Sequence, residues 1–377
     1  MEQYLGESIP KLGFGLMRLP KIGDALDLEQ TKQMVDKFME AGFTYFDTAY
    51  GYNAGESERI AKAALVDRYP RESFQLATKL PAWMGANSTE EAQQMFYTSL
   101  ERTGAGYFDF YLLHNLGQSR TAKFDEYDIW DFVQQRKAEG LIRHIGFSMH
   151  DTAEALDRVL TAHPEVEFVQ LQINYADWEN PSVQARLCYE TARKHGKPII
   201  IMEPVKGGTL TKLPPKAAEA LESARPDMSL ASWGIRFAAS LPGVITVLSG
   251  MSDLAQMENN LSYMRDFQPL NDAEYAAIEK ARAVLDSVPL IPCTSCGYCL
   301  AGCPKNISIP WTFDAVNTQR IYGDMAIASG SYRLSQIIHS RAPAKDCIGC
   351  GKCEKACPQS IKIIEELKNA SEMFDNN

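Results

Sequence analysis

Eight of the nine cysteines fall in two copies of one spacing, C-x2-C-x2-C-x3-C-P, at Cys293, Cys296, Cys299, Cys303 and Pro304, and again at Cys347, Cys350, Cys353, Cys357 and Pro358. That spacing is a signature of [4Fe–4S] ligation, in which four thiolates hold each cluster and the fourth Cys of one run serves the other cluster. The expected ligand sets are Cys293, Cys296, Cys299 and Cys357 for one cluster, and Cys347, Cys350, Cys353 and Cys303 for the second. Both runs continue as C-P-x-x-I-x-I, an internal repeat that supplies Ile307, Ile309, Ile361 and Ile363 as apolar cover. Two zinc sites or a disulfide framework are the competing readings. Structural zinc usually shows two separated ligand pairs, and disulfide-dense domains belong to secreted chains. Cys188 stands apart in a helical segment, where a buried, inert thiol is expected.

The rest of the composition is that of an enzyme of more than one domain. A chain of 377 residues can bury a large core and still leave about ninety residues for a second unit. Its net charge of −10 disfavours nucleic acid and anionic membranes as partners. The opening MEQYLGESIPKLGFG lacks a basic segment followed by an apolar stretch, so no signal peptide is expected. No apolar run approaches the roughly 20 residues of a membrane helix. Reduced thiols and oxygen-sensitive clusters point to the cytoplasm of a cell with little oxygen.

From about residue 10 to 265, β-rich segments alternate with helical ones. The strands are expected at Phe14 to Met17, Phe43 to Phe46, Phe74 to Thr78, Phe108 to Leu113, His144 to Phe147, Phe168 to Ile173, Pro198 to Met202 and Val244 to Leu248. Between the first two, Met34, Val35, Phe38 and Met39 fall at helical spacing, and Gly42 is a natural stop. A second helix is expected after Asn87-Ser88-Thr89, with Glu90 and Glu91 in its first turn. Such alternation demands a parallel sheet, either open or closed as a (β/α)8 barrel. No G-x-G-x-x-G follows the first strand, which counts against the open dinucleotide-binding sheet.

Barrel chemistry sits at the C-terminal strand ends. Asp47 ends the second strand, Lys79 the third and His114 the fourth, with Tyr52 just beyond Asp47. A tyrosine can protonate a carbonyl if a neighbouring ammonium stabilises the phenolate left behind. Lys79 supplies that charge, Asp47 orients the lysine, and His114 can hydrogen-bond the substrate oxygen. Each of these alone has a bland reading, as half of a surface ion pair or as a packed histidine. The joint placement is what favours chemistry.

With these residues in view, the sequence resembles the aldo-keto reductases, in particular the branch carrying a C-terminal ferredoxin-like 2[4Fe–4S] domain. Phe46-Asp47-Thr48-Ala49 with Tyr52, then Gly55-Glu56-Ser57-Glu58, is similar to the family's first signature. Further matches are Gly146-Phe147-Ser148, Gln170 with Asn174, Glu203-Pro204 with Gly207-Gly208, and Glu258-Asn259. The resemblance implies a (β/α)8 barrel over 1–287 and an α+β ferredoxin-like domain over 288–377. It implies Tyr52 as acid/base, tuned by Lys79 and Asp47, with His114 orienting the carbonyl. It implies NAD(H) or NADP(H) as cofactor, with Ser148 and Gln170 on the carboxamide and Glu258 and Asn259 near the adenine. The reaction implied is hydride transfer to an aldehyde or ketone, or the reverse.

Three positions depart from the family pattern. Met202 stands where many members stack an aromatic ring on the nicotinamide, and Met149 rather than Asn follows Ser148. Ser249 and Ala255 occupy places where NADPH-preferring members carry basic residues, which predicts weak NADPH discrimination or a preference for NADH. Trp83 and Tyr50 are placed to line the substrate pocket. Past the barrel, Asn271 to Ser287 reads as a helix and Val288 to Pro292 as the junction. Lys305 to Asp346, with Trp311, Phe313, Tyr322 and Tyr332, reads as a helical insertion with three candidate roles, docking the cluster domain on the barrel, walling off the active site or meeting an external partner, of which docking is favoured. Glu365 to Asn377 reads as a frayed acidic helix. Three functions compete. They are a carbonyl reductase whose clusters relay electrons to or from a ferredoxin or flavodoxin, a reductase with structural clusters, and a non-catalytic redox sensor or electron-carrier module.

Overall fold

The structure, a computed structural model, describes residues 3–23, 25–117, 120–181 and 183–375. They form two compact units. One comprises the chain up to Pro204 together with Gly234–Leu270, the other Val205–Trp233 together with the chain from Asn271 onward.

The first unit is built on eight parallel strands: β1 Leu12–Gly15, β2 Tyr45–Asp47, β3 Gln75–Leu80, β4 Phe108–Leu116, β5 Ile142–Met149, β6 Phe168–Gln172, β7 Ile199–Met202 and β8 Val244–Ser249. Each pairs with its sequence neighbour, and β1 pairs with both β2 and β8, closing the barrel. The open-sheet alternative is thereby excluded. The first strand begins two residues before its expected place and stops at Gly15, because Leu16–Arg18 turns into a 3-10 helix.

Strand side chains alternate between the barrel interior and the surrounding helices. Tyr45, Ala77, Phe110, Leu112, Phe168 and Ile200 point inward and form one apolar cluster closed by Ile9. Phe46 faces outward and packs on Phe14, Phe38 and Phe74. Gly146 is required by this packing, since a Cβ there would lie 2.6 Å from the Phe168 carbonyl oxygen. The helix Leu28–Glu40 starts on an Asp27 cap and buries Met34, Val35 and Phe38, and Thr89–Thr103 starts on Ser88, both as expected.

The second unit is mainly helical, with one isolated parallel bridge among its described residues, between Ile307 and Ala342. Its core gathers Ile291, Phe313, Val316, Tyr332, Leu367 and Phe374 around three of the cysteines. The four repeat isoleucines are all buried. The sequence repeat is also a backbone repeat: Ser295 and Gly349, Gly297 and Gly351, and Asn306 and Ser360 are equivalent pairs, and all six have positive φ. Helix Asp272–Asp286 opens on an Asn271 capping box with Glu274. The insertion is two helices, Ile309–Tyr322 and Met325–Ile338.

One expectation is overturned. The acidic C-terminal segment is not frayed: Ile363–Phe374 is a helix that buries Ile363, Leu367, Ala370 and Phe374. Burying apolar side chains on one face at about 1.5–3 kcal/mol each outweighs repulsion among its exposed carboxylates. Asn376 and Asn377 lie outside the described residues. Among the described residues no helix is long and apolar enough to cross a membrane.

Candidate active site

Period-2 geometry explains how the site is assembled. Asp47, Lys79, His114 and Gln170 each lie two positions beyond a residue of the barrel core, namely Tyr45, Ala77, Leu112 and Phe168. They therefore point inward one layer nearer the C-terminal mouth. Tyr52 arrives differently, on the 3-10 turn Tyr52–Gly55 after β2, where Asn53 and Ala54 adopt left-handed conformations. The Asn53 side chain donates to the Met17 carbonyl oxygen at 3.1 Å, pinning this turn to the loop after β1.

Lys79 is the hub. Its Nζ donates to Asp47 Oδ1 at 2.5 Å, to the Thr48 carbonyl at 2.8 Å and to the Tyr52 hydroxyl at 3.3 Å. Gln170 donates to the other Asp47 oxygen at 3.1 Å. Lys79 is wholly buried and Asp47 nearly so. Burial raises the Asp47 carboxyl above its ordinary value, opposed by Lys79 and Gln170. It lowers the Lys79 ammonium, opposed by Asp47.

His114 meets the Tyr52 ring edge-on, with centroids 5.7 Å apart. Burial, aided by the positive charge of Lys79, holds it well below the ordinary histidine value, so it is neutral near pH 7. The Trp83 indole donates to the His114 carbonyl at 2.8 Å, which places Trp83 beside His114.

Outside the strands, Ser57 links Thr48 to the Leu16 carbonyl. Glu58 accepts from Thr78 at 2.7 Å and from Arg102 at 3.3 Å, while Arg102 also donates to the Tyr50 carbonyl. These contacts fasten the segment that carries Tyr52. Sequence reasoning quoted Ser57 and Glu58 without a role and missed Arg102, whose helix gives no local sign of this contact.

The residues assigned to the nucleotide separate into groups. Ser148 Oγ accepts from the Asn115 backbone at 2.8 Å, and Gln170 sits with the tetrad. Met202 closes β7 and Ser249 closes β8. Glu258 and Asn259 lie on helix Leu254–Met264, where Glu258 is largely exposed and paired with Lys37 at 2.8 Å. A cation does stand beside the loop after β8: Arg18 packs over Gly250 and pairs with Glu203 at 3.6 Å. Only tertiary structure could bring Arg18, just after β1, to the last strand. Asn174 joins Asp177 at 2.8 Å and the Glu203 carbonyl at 3.1 Å. Asp177 is also reached by Gln172, which meets His150 at 3.1 Å.

In the second unit the cysteines line two cavities. One is bounded by Cys293, Cys296, Cys299 and Cys357, the other by Cys303, Cys347, Cys350 and Cys353, and Ile309 lines both. Among the described residues no three His, Cys, Asp or Glu gather on a point as a single ion needs. Sulfurs spread round a cavity instead suit a polynuclear cluster, in which each iron takes one thiolate. Burial and neighbouring thiols push Cys293 up to about 12 and Cys353 up to about 11, so charge on four such sulfurs calls for bound cations. Backbone amides point at the sulfurs, Ser295 N to Cys293 Sγ and Ile307 N to Cys303 Sγ, each at 3.4 Å. The donor set fits two clusters.

Residues 11–283 match the aldo/keto reductase family, and residues 290–362 match the 4Fe-4S dicluster domain. An aldo-keto reductase of Mycolicibacterium vanbaalenii is 30% identical over 275 residues, 72% of this chain and 88% of that one. The uncharacterized oxidoreductase YqkF of Bacillus subtilis is 24% identical over 282 residues, 67% of this chain and 86% of its own. A solved aldo-keto reductase of Klebsiella pneumoniae, in complex with NADPH, superimposes with a TM-score of 0.57 at 22% identity, over 72% of this chain and 90% of that one.

Proposed function

This chain belongs to the aldo/keto reductase family of oxidoreductases and carries a 4Fe-4S dicluster domain, and from that premise we propose that it reduces an aldehyde or ketone, or oxidises the alcohol, with a nicotinamide cofactor. The reading assigns catalysis to 1–287 and the clusters to 288–377. The observation that carries it is the placement of the buried Lys79 Nζ, 2.5 Å from Asp47 and 3.3 Å from the Tyr52 hydroxyl, at the barrel mouth.

Tyr52 donates its hydroxyl proton to the carbonyl oxygen in reduction and takes it back in oxidation. The Lys79 charge beside that hydroxyl lowers the cost of the phenolate. Asp47 keeps Lys79 charged and aimed, and Gln170 holds Asp47. Neutral His114 donates a hydrogen bond to the substrate oxygen without competing for the Tyr52 proton. Ser148, Gln170 and Met202 would hold a nicotinamide, with Ser249, Glu258 and Asn259 toward its nucleotide end, and the cofactor would supply or accept the hydride. NADPH bound to the Klebsiella relative supports this cofactor class. Arg18 beside the last strand loop supplies a phosphate-pairing group that Ser249 and Ala255 lack, so NADPH use is compatible with the site.

The eight cysteines would hold two [4Fe–4S] clusters, which would supply one-electron transfer to or from a carrier protein such as a ferredoxin or flavodoxin. Exposure of Cys350 favours exchange with an outside partner. A second reading, structural clusters, is favoured by the burial of Cys299, Cys353 and Cys357 in the core of their unit. Both readings place the protein in the cytoplasm, where thiols stay reduced. An anaerobic titration of cluster-loaded protein with NADH and then NADPH, followed by visible absorption and electron paramagnetic resonance, tests the assignment. Bleaching supports the relay. Nucleotide binding without bleaching favours structural clusters, and the absence of nucleotide binding overturns the reductase reading.

A further inference from the structure

The second cysteine cavity opens on a surface unlike the rest of this acidic chain. Cys350 is exposed, and beside it Ile348, between two cluster cysteines, is 60% exposed. Lys305 lines the cavity, and Lys345, Lys352 and Lys355 stand within a few residues of its cysteines, with Asp346, Glu354 and Asp375 as the neighbouring carboxylates, while the whole chain carries a net charge of −10. Lys305, Lys345, Lys352 and Lys355 are exposed, and none forms an ion pair with a described residue. Several nearby carboxylates already accept hydrogen bonds or ion pairs, Asp375 among them from the Lys345 backbone N–H at 3.0 Å. Glu354 accepts from Ile364 N at 2.9 Å, Glu366 pairs with Arg320 at 3.1 Å, and Asp375 accepts from Tyr332 at 3.0 Å. More apolar surface lies on helix Met325–Ile338, where Leu334, Ile337 and Ile338 are exposed. The Tyr332 hydroxyl of that helix accepts the Ala344 N–H at 2.7 Å, tying it to the segment that leads into Cys347.

We propose that the lysine-rimmed surface around Cys347 to Cys353 is the docking site of a small acidic one-electron carrier protein. A small apolar centre within a charged rim suits a transient electron-transfer contact, which buries little area and relies on charge for encounter. In the step it serves, one electron leaves the reduced carrier, which is thereby oxidised, and enters the cluster held by Cys303, Cys347, Cys350 and Cys353, reducing it. No bond forms or breaks and no proton moves. The proposal rests on the reading that the clusters exchange electrons.

The test uses the cluster-loaded full-length protein under anaerobic conditions, with an acidic ferredoxin and an acidic flavodoxin as carriers. Binding of the oxidised carrier and stopped-flow reduction by the reduced carrier are measured for the wild type, for K345E/K355E and, in a separate variant, for K305E. Reduced methyl viologen provides a carrier-free control. The expected result is carrier binding and carrier-driven reduction weakened about tenfold or more in both variants, with a flatter dependence on salt. Iron content and viologen reduction stay unchanged. Wild-type rates in both charge-reversed variants would overturn the proposal, as would failure of both carriers to reduce wild-type clusters that viologen reduces. If the carrier binds and reduces the clusters but no electrons reach or leave nicotinamide or substrate, the docking site stands and the relay reading fails.

Discussion

Gln170 donates its amide to Asp47 Oδ2 at 3.1 Å, on the opposite side of the carboxylate from Lys79. A residue that the family resemblance gives to the nicotinamide thus also steadies the acid–base machinery. Replacing Gln170 with Leu removes a bond that lowers the Asp47 carboxyl. Nucleotide affinity and kcat are expected to fall together in Gln170→Leu, with a shift in the acid limb of the pH–rate profile. An effect confined to nucleotide affinity would show that the contact with Asp47 is idle.

Tyr52→Phe should lower carbonyl reduction by about 10²–10⁴-fold, the usual range for a positioned proton donor. Nucleotide binding and both clusters should survive, since the phenol ring is kept. Retained turnover in steady-state kinetics would mean that another group moves the proton.

Lys79→Met leaves Asp47 buried without its cation, at a cost of about 3–5 kcal/mol. The double variant D47N/K79M removes both charges and should recover most of that stability in denaturant titrations while remaining inactive. Equal instability of single and double variants would argue that packing of the lysine stem, rather than charge, sets the loss.

His150 is held down to about 4 by burial, against about 6.5 in an unfolded chain. Between those values the unfolded state binds more protons, so stability is full above about pH 6.5 and is lost as pH falls towards 4. The loss is at most about 3 kcal/mol, because His150 as a residue is half-buried rather than fully enclosed. His114, also lowered, acts in the same direction. Chemical denaturation from pH 7 to pH 4 should show a shallower loss in His150→Gln than in wild type, and parallel curves would refute the assignment.

Gly207 takes φ +65, and a Cβ there would lie 2.3 Å from the Thr294 carbonyl oxygen, next to Cys293. Gly207→Ala should cost about 1–3 kcal/mol in strain and perturb the cluster held by Cys293, Cys296, Cys299 and Cys357. The other cluster should keep its spectrum. Electron paramagnetic resonance of the reduced protein distinguishes this from a uniform loss of iron.

The cysteine runs, the repeat isoleucines and the alternation of strand and helix are local patterns, set by spacing along a few residues, and the sequence carries them openly. Asp47, Lys79 and His114 stand at strand ends that the alternation marked, and it was their joint placement, not any one of them, that pointed to chemistry. The first strand was displaced by two residues because propensity does not show where Leu16 turns inward. The C-terminal helix was misjudged because its charges are visible in sequence and its packing partners are not.

What the sequence determined by itself, then, is the alternation of a parallel α/β fold, the paired cysteine runs of a 4Fe-4S dicluster domain and the strand-end positions of the candidate site residues, since each follows from periodicity or short-range spacing. Tertiary structure alone decided that Arg102 braces Glu58 behind the Tyr52 turn and that Arg18 faces the last strand loop. It also decided which carboxylates are left to neutralise the lysines around Cys350. Those relationships join residues distant along the chain, and only closure of the barrel and collapse of the cluster unit bring their charges within a few ångströms.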